Sequence, residues 1–179
     1  MLLYDNSIDI RIPKEHKDIS QLIAAQNYQY MFAGGSDQDE FLIVDLMQPV
    51  PEVDLHIEDI LGMNDVDSAK VISIEYTSDG FKQGIDTFLH KYSSSAKPVK
   101  VEKEPNALDW MCARIDGYIS RNDGKVRLMH IYIGVTKYTL SDIVISIFKE
   151  GVVSEEKEKE IQEMMRTVKV LNSDIFITK

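Results

Sequence analysis

The sequence predicts one α+β domain over residues 1–179, an antiparallel β-sheet flanked by a few helices. Three stretches carry this reading. Val126 to Val135, VRLMHIYIGV, alternates Met129, Ile131, Ile133 and Val135 with Leu128, His130, Tyr132 and Gly134. A period of two is that of a strand with one side in a core, here with a wholly apolar face and a mixed one. Phe41 to Met47, FLIVDLM, is nearly continuous in apolar residues, the pattern of a central strand covered on both faces. Ile161, Met164, Met165 and Val168 fall at i, i+3, i+4 and i+7, the stripe of an amphipathic helix.

In chain order, Met1 to Pro13 reads as a short hairpin with Asn6-Ser7 as its turn, ended by Pro13, which has no N–H for a ladder. Lys14 to Ala25 is a connection in which Ile19, Leu22 and Ile23 form a short helical turn. Tyr28 to Ala33 and Phe41 to Met47 pair across a loop that begins Gly34-Gly35-Ser36. Pro49 and Pro51 break the pattern, and Leu55, Ile57, Ile60 and Leu61 mark a short helix closed by Gly62. Asn64 to Ser68 reads as polar loop and Val71 to Tyr76 as a strand. Ser78 or Asp79 caps a helix with Phe81, Ile85, Phe88, Leu89 and Tyr92 on one stripe. After a linker over 93–98, Val99 and Val101 begin a strand, and Leu108 to Ala113 leads into Ile115 to Ser120. Asn122-Asp123-Gly124 tolerates positive φ and joins that strand to the organising one, with Ile143 to Phe148 following. Ser154 caps the last helix, Glu155 and Glu156 sit at its positive end, and Val170 to Thr178 is extended chain.

The totals narrow the function. The chain has 179 residues, 44% of them apolar, and a net charge of −10. Nucleic-acid binding usually needs a basic surface to displace counterions, so this balance argues against it and against an anionic membrane surface. There is no apolar run of about 18 residues to span a bilayer. The N-terminus has neither a basic n-region nor a long h-region, so the expected compartment is the cytoplasm. One cysteine, Cys112, rules out an internal disulfide and reads as a buried inert thiol.

Catalytic and metal motifs are missing. The histidines, His16, His56, His90 and His130, form no HxH or HExxH pattern, so neither a metal nor any other cofactor is expected. His56 beside Glu58 and Asp59 reads as a surface cluster, and His130 as a hydrogen-bonded structural histidine. Gly34-Gly35-Ser36 lacks phosphate-loop spacing, GxSxG is absent, and so is the calcium-loop pattern. Glu155 to Glu160, EEKEKE, is a solvated helix face.

Two surfaces remain as candidates. Asp37, Asp39 and Glu40 in one loop, with Glu58, Asp59 and Asp65 around the Gly62 break, would form an acidic patch for a basic protein partner if the fold joins them. Alternatively His130 and Tyr132, on the mixed strand face, would line a pocket between sheet and helices, as in a small-ligand carrier or an enzyme.

Two segments resemble a family. IDIRIPKEHKDIS, then DEFLIVDLM, then HIEDILGMND, is similar to the N-terminal half of the fold shared by the Ran-binding import factor Mog and the photosystem II subunit PsbP. The strand ending Ile12-Pro13 is followed by Asp18-Ile19-Ser20, with His16 where an aromatic is common. LDWMCARIDGYISRNDGKVRLMHIYI and the helix ending TVKVL resemble related bacterial domains of the DcrB and effector-associated chaperone type. The resemblance implies a Mog/PsbP-like fold and a largely non-enzymatic role: an adaptor that binds proteins, or a chaperone for an exported effector.

Overall fold

The computed structural model describes residues 1–22, 28–34, 40–120 and 124–172. Its elements, in order, are β1 (Leu2–Leu3), β2 (Ile8–Asp9), β3 (Lys17–Asp18), β4 (Gln29–Ala33), β5 (Glu40–Met47), α1 (Asp54–Met63), β6 (Val66–Tyr76), a 3-10 turn (Asp79–Phe81) and α2 (Lys82–Lys91). Then come β7 (Val99–Lys100), β8 (Asp109–Ser120), β9 (Val126–Lys137), β10 (Asp142–Glu150), α3 (Glu155–Arg166) and β11 (Lys169–Val170). The architecture is α+β. An eight-stranded sheet runs β3-β4-β5-β10-β9-β8-β6-β7, and a small sheet runs β1-β2-β11.

Alternation explains the central strands. Met129, Ile131, Ile133 and Val135 of β9 pack with Ile57 of α1 and Ile85 of α2. The other β9 face is buried as well: Tyr132 packs with Met164 and Met165 of α3 and with Ile8 and Ile10 of the small sheet. The mixed face is therefore a second core, and the centre of the sheet is covered on both sides. The expected α3 stripe is buried as a unit, contributing about 1.5–3 kcal/mol per side chain. The Ser154 hydroxyl accepts from Lys157 N at 3.2 Å and caps the helix as expected.

Several local expectations need correction. Lys17–Asp18, within the expected connection, is an edge strand paired with Phe32 and Ala33; a turn does follow, with Leu22 N donating to Ile19 O at 2.9 Å, but Leu22 is 84% exposed and does not anchor it in the core, and Ile23 lies outside the described residues. β5 buries Leu42 and Val44 on the α3 side, but Phe41 on the opposite face is 39% exposed, so only one face is fully covered. α1 runs through Gly62 to Met63, and Asp65, at φ 51°, takes the left-handed turn. β6 starts at Val66, because backbone pairing with Ile119 overrides the polar composition of 64–68. β7 pairs with β6 in parallel, since α2 carries the chain back across the sheet. The N-terminal hairpin is present, but its turn begins at Tyr4, with positive φ at Tyr4, Asp5 and Asn6. Hydrogen bonds from the Tyr4 hydroxyl to Val44 O (2.8 Å) and Tyr28 O (2.9 Å) hold that strained residue in place. Asn122-Asp123 and 173–178 lie outside the described residues. No described helix is long and apolar enough to cross a membrane.

Candidate functional site

Helix length sets where the sheet is left bare. α1 and α2 have 10 residues each, about 15 Å of helix. β8 and β9 have 12 residues each, about 40 Å of strand. The helices cannot cover the whole of the face they share, and a groove of about 410 Å³ opens beyond the end of α1. Met31 of β4, Phe41 of β5, Phe148 of β10, Met129 of β9 and Ile119 of β8 contribute to it, with Met63 closing α1 beside them. Phe148, Met129 and Ile119 are nearly buried and form the floor, whereas Phe41 at 39% and Met63 at 72% exposure stand out as walls.

The groove's charged edge is Asp65, next to Asn64, whose amide donates to Ile60 O at 2.8 Å and ends the helix. Asp59 is exposed on α1. Glu58, on the same helix, is partly covered and pairs with Lys91 of α2 at 2.6 Å. Three of the six expected acidic residues thus lie together on α1 and its end. Glu40 does not join them. Its side chain points to the α3 side of the sheet, 3% exposed, with His16 Nε2 at 2.8 Å, Lys157 Nζ at 3.1 Å and Lys149 Nζ at 3.4 Å. Asp37 and Asp39 lie outside the described residues.

That α3-side face holds a row of charges in register on four neighbouring strands. Lys149 is opposite both Glu40 and His130, and His130 is opposite Asp116. His130 Nδ1 lies 2.8 Å from Asp116 Oδ1. Burial raises the Glu40 carboxyl, but His16 and Lys157 outweigh it and hold it at about 2. Tyr132 is fully buried with Arg114 over its ring, and the Arg114 guanidinium donates to Glu158 of α3 at 2.6 Å. Burial pushes the Tyr132 hydroxyl up to about 12. His130 and Tyr132 thus sit in a packed, charge-laced layer beneath α3, and neither lines the groove.

His56 is also not where its neighbours suggested. It is buried, not part of a surface cluster, and its Nε2 lies 2.7 Å from Asp142 Oδ2. Asp142 and Lys149 belong to no motif, and Lys157, within the EEKEKE stretch expected to be a solvated face, instead has a side chain 18% exposed and turned towards the buried Glu40. A charged residue at the end of an otherwise apolar strand, as in DIVISIFKE, is the signal that such a group needs a buried partner. Cys112 is buried, and burial raises its thiol to about 12. Among the described residues, no three His, Cys, Asp or Glu side chains come together to hold a metal. What the groove offers chemically is apolar surface beside one carboxylate, Asp65.

Known structures share this architecture. No family model matches the sequence, and comparison with curated proteins gives no match. The Ran-binding protein Mog1p of Saccharomyces cerevisiae and a mutant of protein Mog1 each superpose with a TM-score of 0.66 at 17% identity, over 99% of this chain and 97% of theirs. A structure from Bacteroides thetaiotaomicron VPI-5482 superposes at 0.51 with 11% identity, over 97% of this chain and 48% of that one. The chain has a Mog/PsbP-like fold.

Proposed function

We propose that the chain is a non-enzymatic protein-interaction module, an adaptor that docks a protein partner on the groove and the acidic end of α1. The observation that carries this is the bare apolar strip beside Asp65, with Phe41 and Met63 standing into solvent and Asp59 exposed one turn before Met63 on α1. Exposed apolar surface rimmed by polar groups is the usual mark of an interaction site. A partner with an apolar anchor and basic flanks suits both the rim and the net charge of −10. A protein of the same fold, yeast Mog1p, is Ran-binding, which lends precedent to protein docking on this scaffold. The role of chaperone for an exported effector is a narrower form of the same proposal, in which the partner is a secreted protein, and a cytoplasmic location accords with either form.

The test is co-purification from the source cell with wild type, Phe41→Glu and Asp59→Lys/Asp65→Lys, each first shown to melt like wild type. A partner retained by wild type and lost from both variants is the expected result. Partners unaffected by either variant would overturn the proposal.

A further inference from the structure

We infer that the groove receives an amphipathic α-helix of the partner, about five turns long, with basic flanks. This rests on the docking proposed above and adds the partner's secondary structure.

Backbone hydrogen bonding decides the class. The groove lies over the face of the sheet, and β5, β10, β9 and β8 beneath it are each paired on both sides. An extended peptide laid there would find no ladder to join and would leave its own N–H and C=O groups without partners. A helix satisfies its backbone internally and needs only an apolar face to offer. The same face already receives two helices this way, through Ile57 and Ile60 of α1 and Ile85 and Phe88 of α2. A third would continue that layer.

The dimensions agree. Met31 is opposite Ile43, Phe41 is opposite Phe148, and Met129 is opposite Gly117, two residues short of Ile119. The lining therefore steps diagonally over five strands. Four inter-strand spacings of ~4.8 Å give about 19 Å across the strands, and the diagonal shift of six residues at ~3.3 Å adds about 20 Å along them, so the lining spans about 28 Å, the rise of about 18 helical residues. Met31, Met63 and Met129 are unbranched and adapt to varied apolar side chains. A small apolar ligand fits less well, because ligand sites enclose most of the ligand, whereas the walls here are Phe41 and Met63, both open to solvent. Asp65 at the groove and Asp59 on α1 select basic flanks.

The experiment is a display selection with the intact folded chain from two libraries of 18-residue peptides. One carries apolar residues at i, i+3, i+4 and i+7. The other has the same composition with prolines in its middle. Winners are measured by fluorescence anisotropy, circular dichroism and the methyl resonances of Met31, Met63 and Met129. The expected winners come from the first library, carry Lys or Arg flanks, gain helicity on binding, move those three methyls, and bind Met63→Glu at least about tenfold more weakly, as losing one interface anchor does. If proline-bearing peptides win and Met63→Glu still abolishes binding, docking at the groove stands and the helix inference falls. If no winner depends on Met63 or Phe41, both fall. If anilinonaphthalene sulfonate saturates the site one-to-one, moves the same methyls, and no peptide displaces it, the groove is a small-ligand pocket and the inference is overturned.

Discussion

His56 Nε2 and Asp142 Oδ2 lie 2.7 Å apart, with side chains 2% and 0% exposed. The same oxygen accepts from Lys137 Nζ at 2.7 Å and from Val50 N at 3.1 Å, and Lys137 also donates to Val50 O at 2.7 Å. One carboxylate thus joins α1, β9, β10 and the proline-bearing turn before α1. Removing one partner of a buried pair leaves the other charge uncompensated, at a cost of about 3–5 kcal/mol. Asp142→Ala should lower the unfolding free energy by about that much in urea titrations. A loss under about 1 kcal/mol would show that the cluster is not coupled to folding.

Acid should unfold the protein through two buried carboxylates. Burial opposes ionisation of Glu40, but His16 and Lys157 hold its pKa at about 2, lowered from 4.5. Burial likewise opposes that of Asp142, and His56, Lys137 and the Val50 N–H lower it nonetheless. A carboxyl whose folded pKa lies below its unfolded value stabilises at pH above the unfolded value. That stability is lost as pH falls through the folded one. The melting temperature should hold from pH 7 to about 5 and fall from about 4.5 towards 2. Glu40→Gln should start lower and fall less steeply. An acid limb identical to wild type would remove Glu40 from the explanation.

Periodicity made the large strands, both later helices and the α3 cap legible, because β9 and α3 bury what their patterns mark. Pairing decided the rest. Lys17–Asp18 has no strand signal of its own and is extended because Phe32 and Ala33 lie alongside it. The buried charges were hidden for a related reason. Glu40 reads as a loop acid until β10 sets Lys149 opposite it, and His56 reads as a surface residue until β10 delivers Asp142. The groove depends on how far α1 extends over the sheet, which no local pattern encodes. Its charged residue, Asp65, was visible in the sequence, but its apolar floor looked like ordinary core.

Met165 of α3 lies directly against Gly134 of β9. A Cβ at this position would overlap the side chain of Met165. Gly134→Ala should therefore cost about 1–3 kcal/mol by overpacking. Met165→Ala alone removes buried core volume and should destabilise as well. The double variant should be more stable than the sum of the two losses predicts, since the smaller side chain makes room for the methyl. Strict additivity in chemical denaturation would mean that α3 does not lean on Gly134.

Cys112 offers a readout of β8. The residue is 7% exposed, and burial raises its thiol to about 12, so little thiolate forms at pH 8. A thiol reagent such as dithionitrobenzoate should react with it only after unfolding, and labelling should track the urea transition. Rapid labelling of the native protein would show that the β8 strand opens locally.

Core and groove should separate in a mutational series. Ile60 is 3% exposed and Met63 is 72% exposed, although both belong to α1. Ile60→Ala deletes buried apolar volume and should cost about 2–5 kcal/mol. Met63→Ser removes a side chain that stands mostly in water and should change stability by less than about 0.5 kcal/mol. Phe41→Ser should fall between them, since about two-fifths of that residue faces solvent. Thermal melts of the three variants check the order. If Met63→Ser destabilises as much as Ile60→Ala, Met63 belongs to the core and the groove loses a wall. If it does not, folding leaves this methionine available for the docking proposed above.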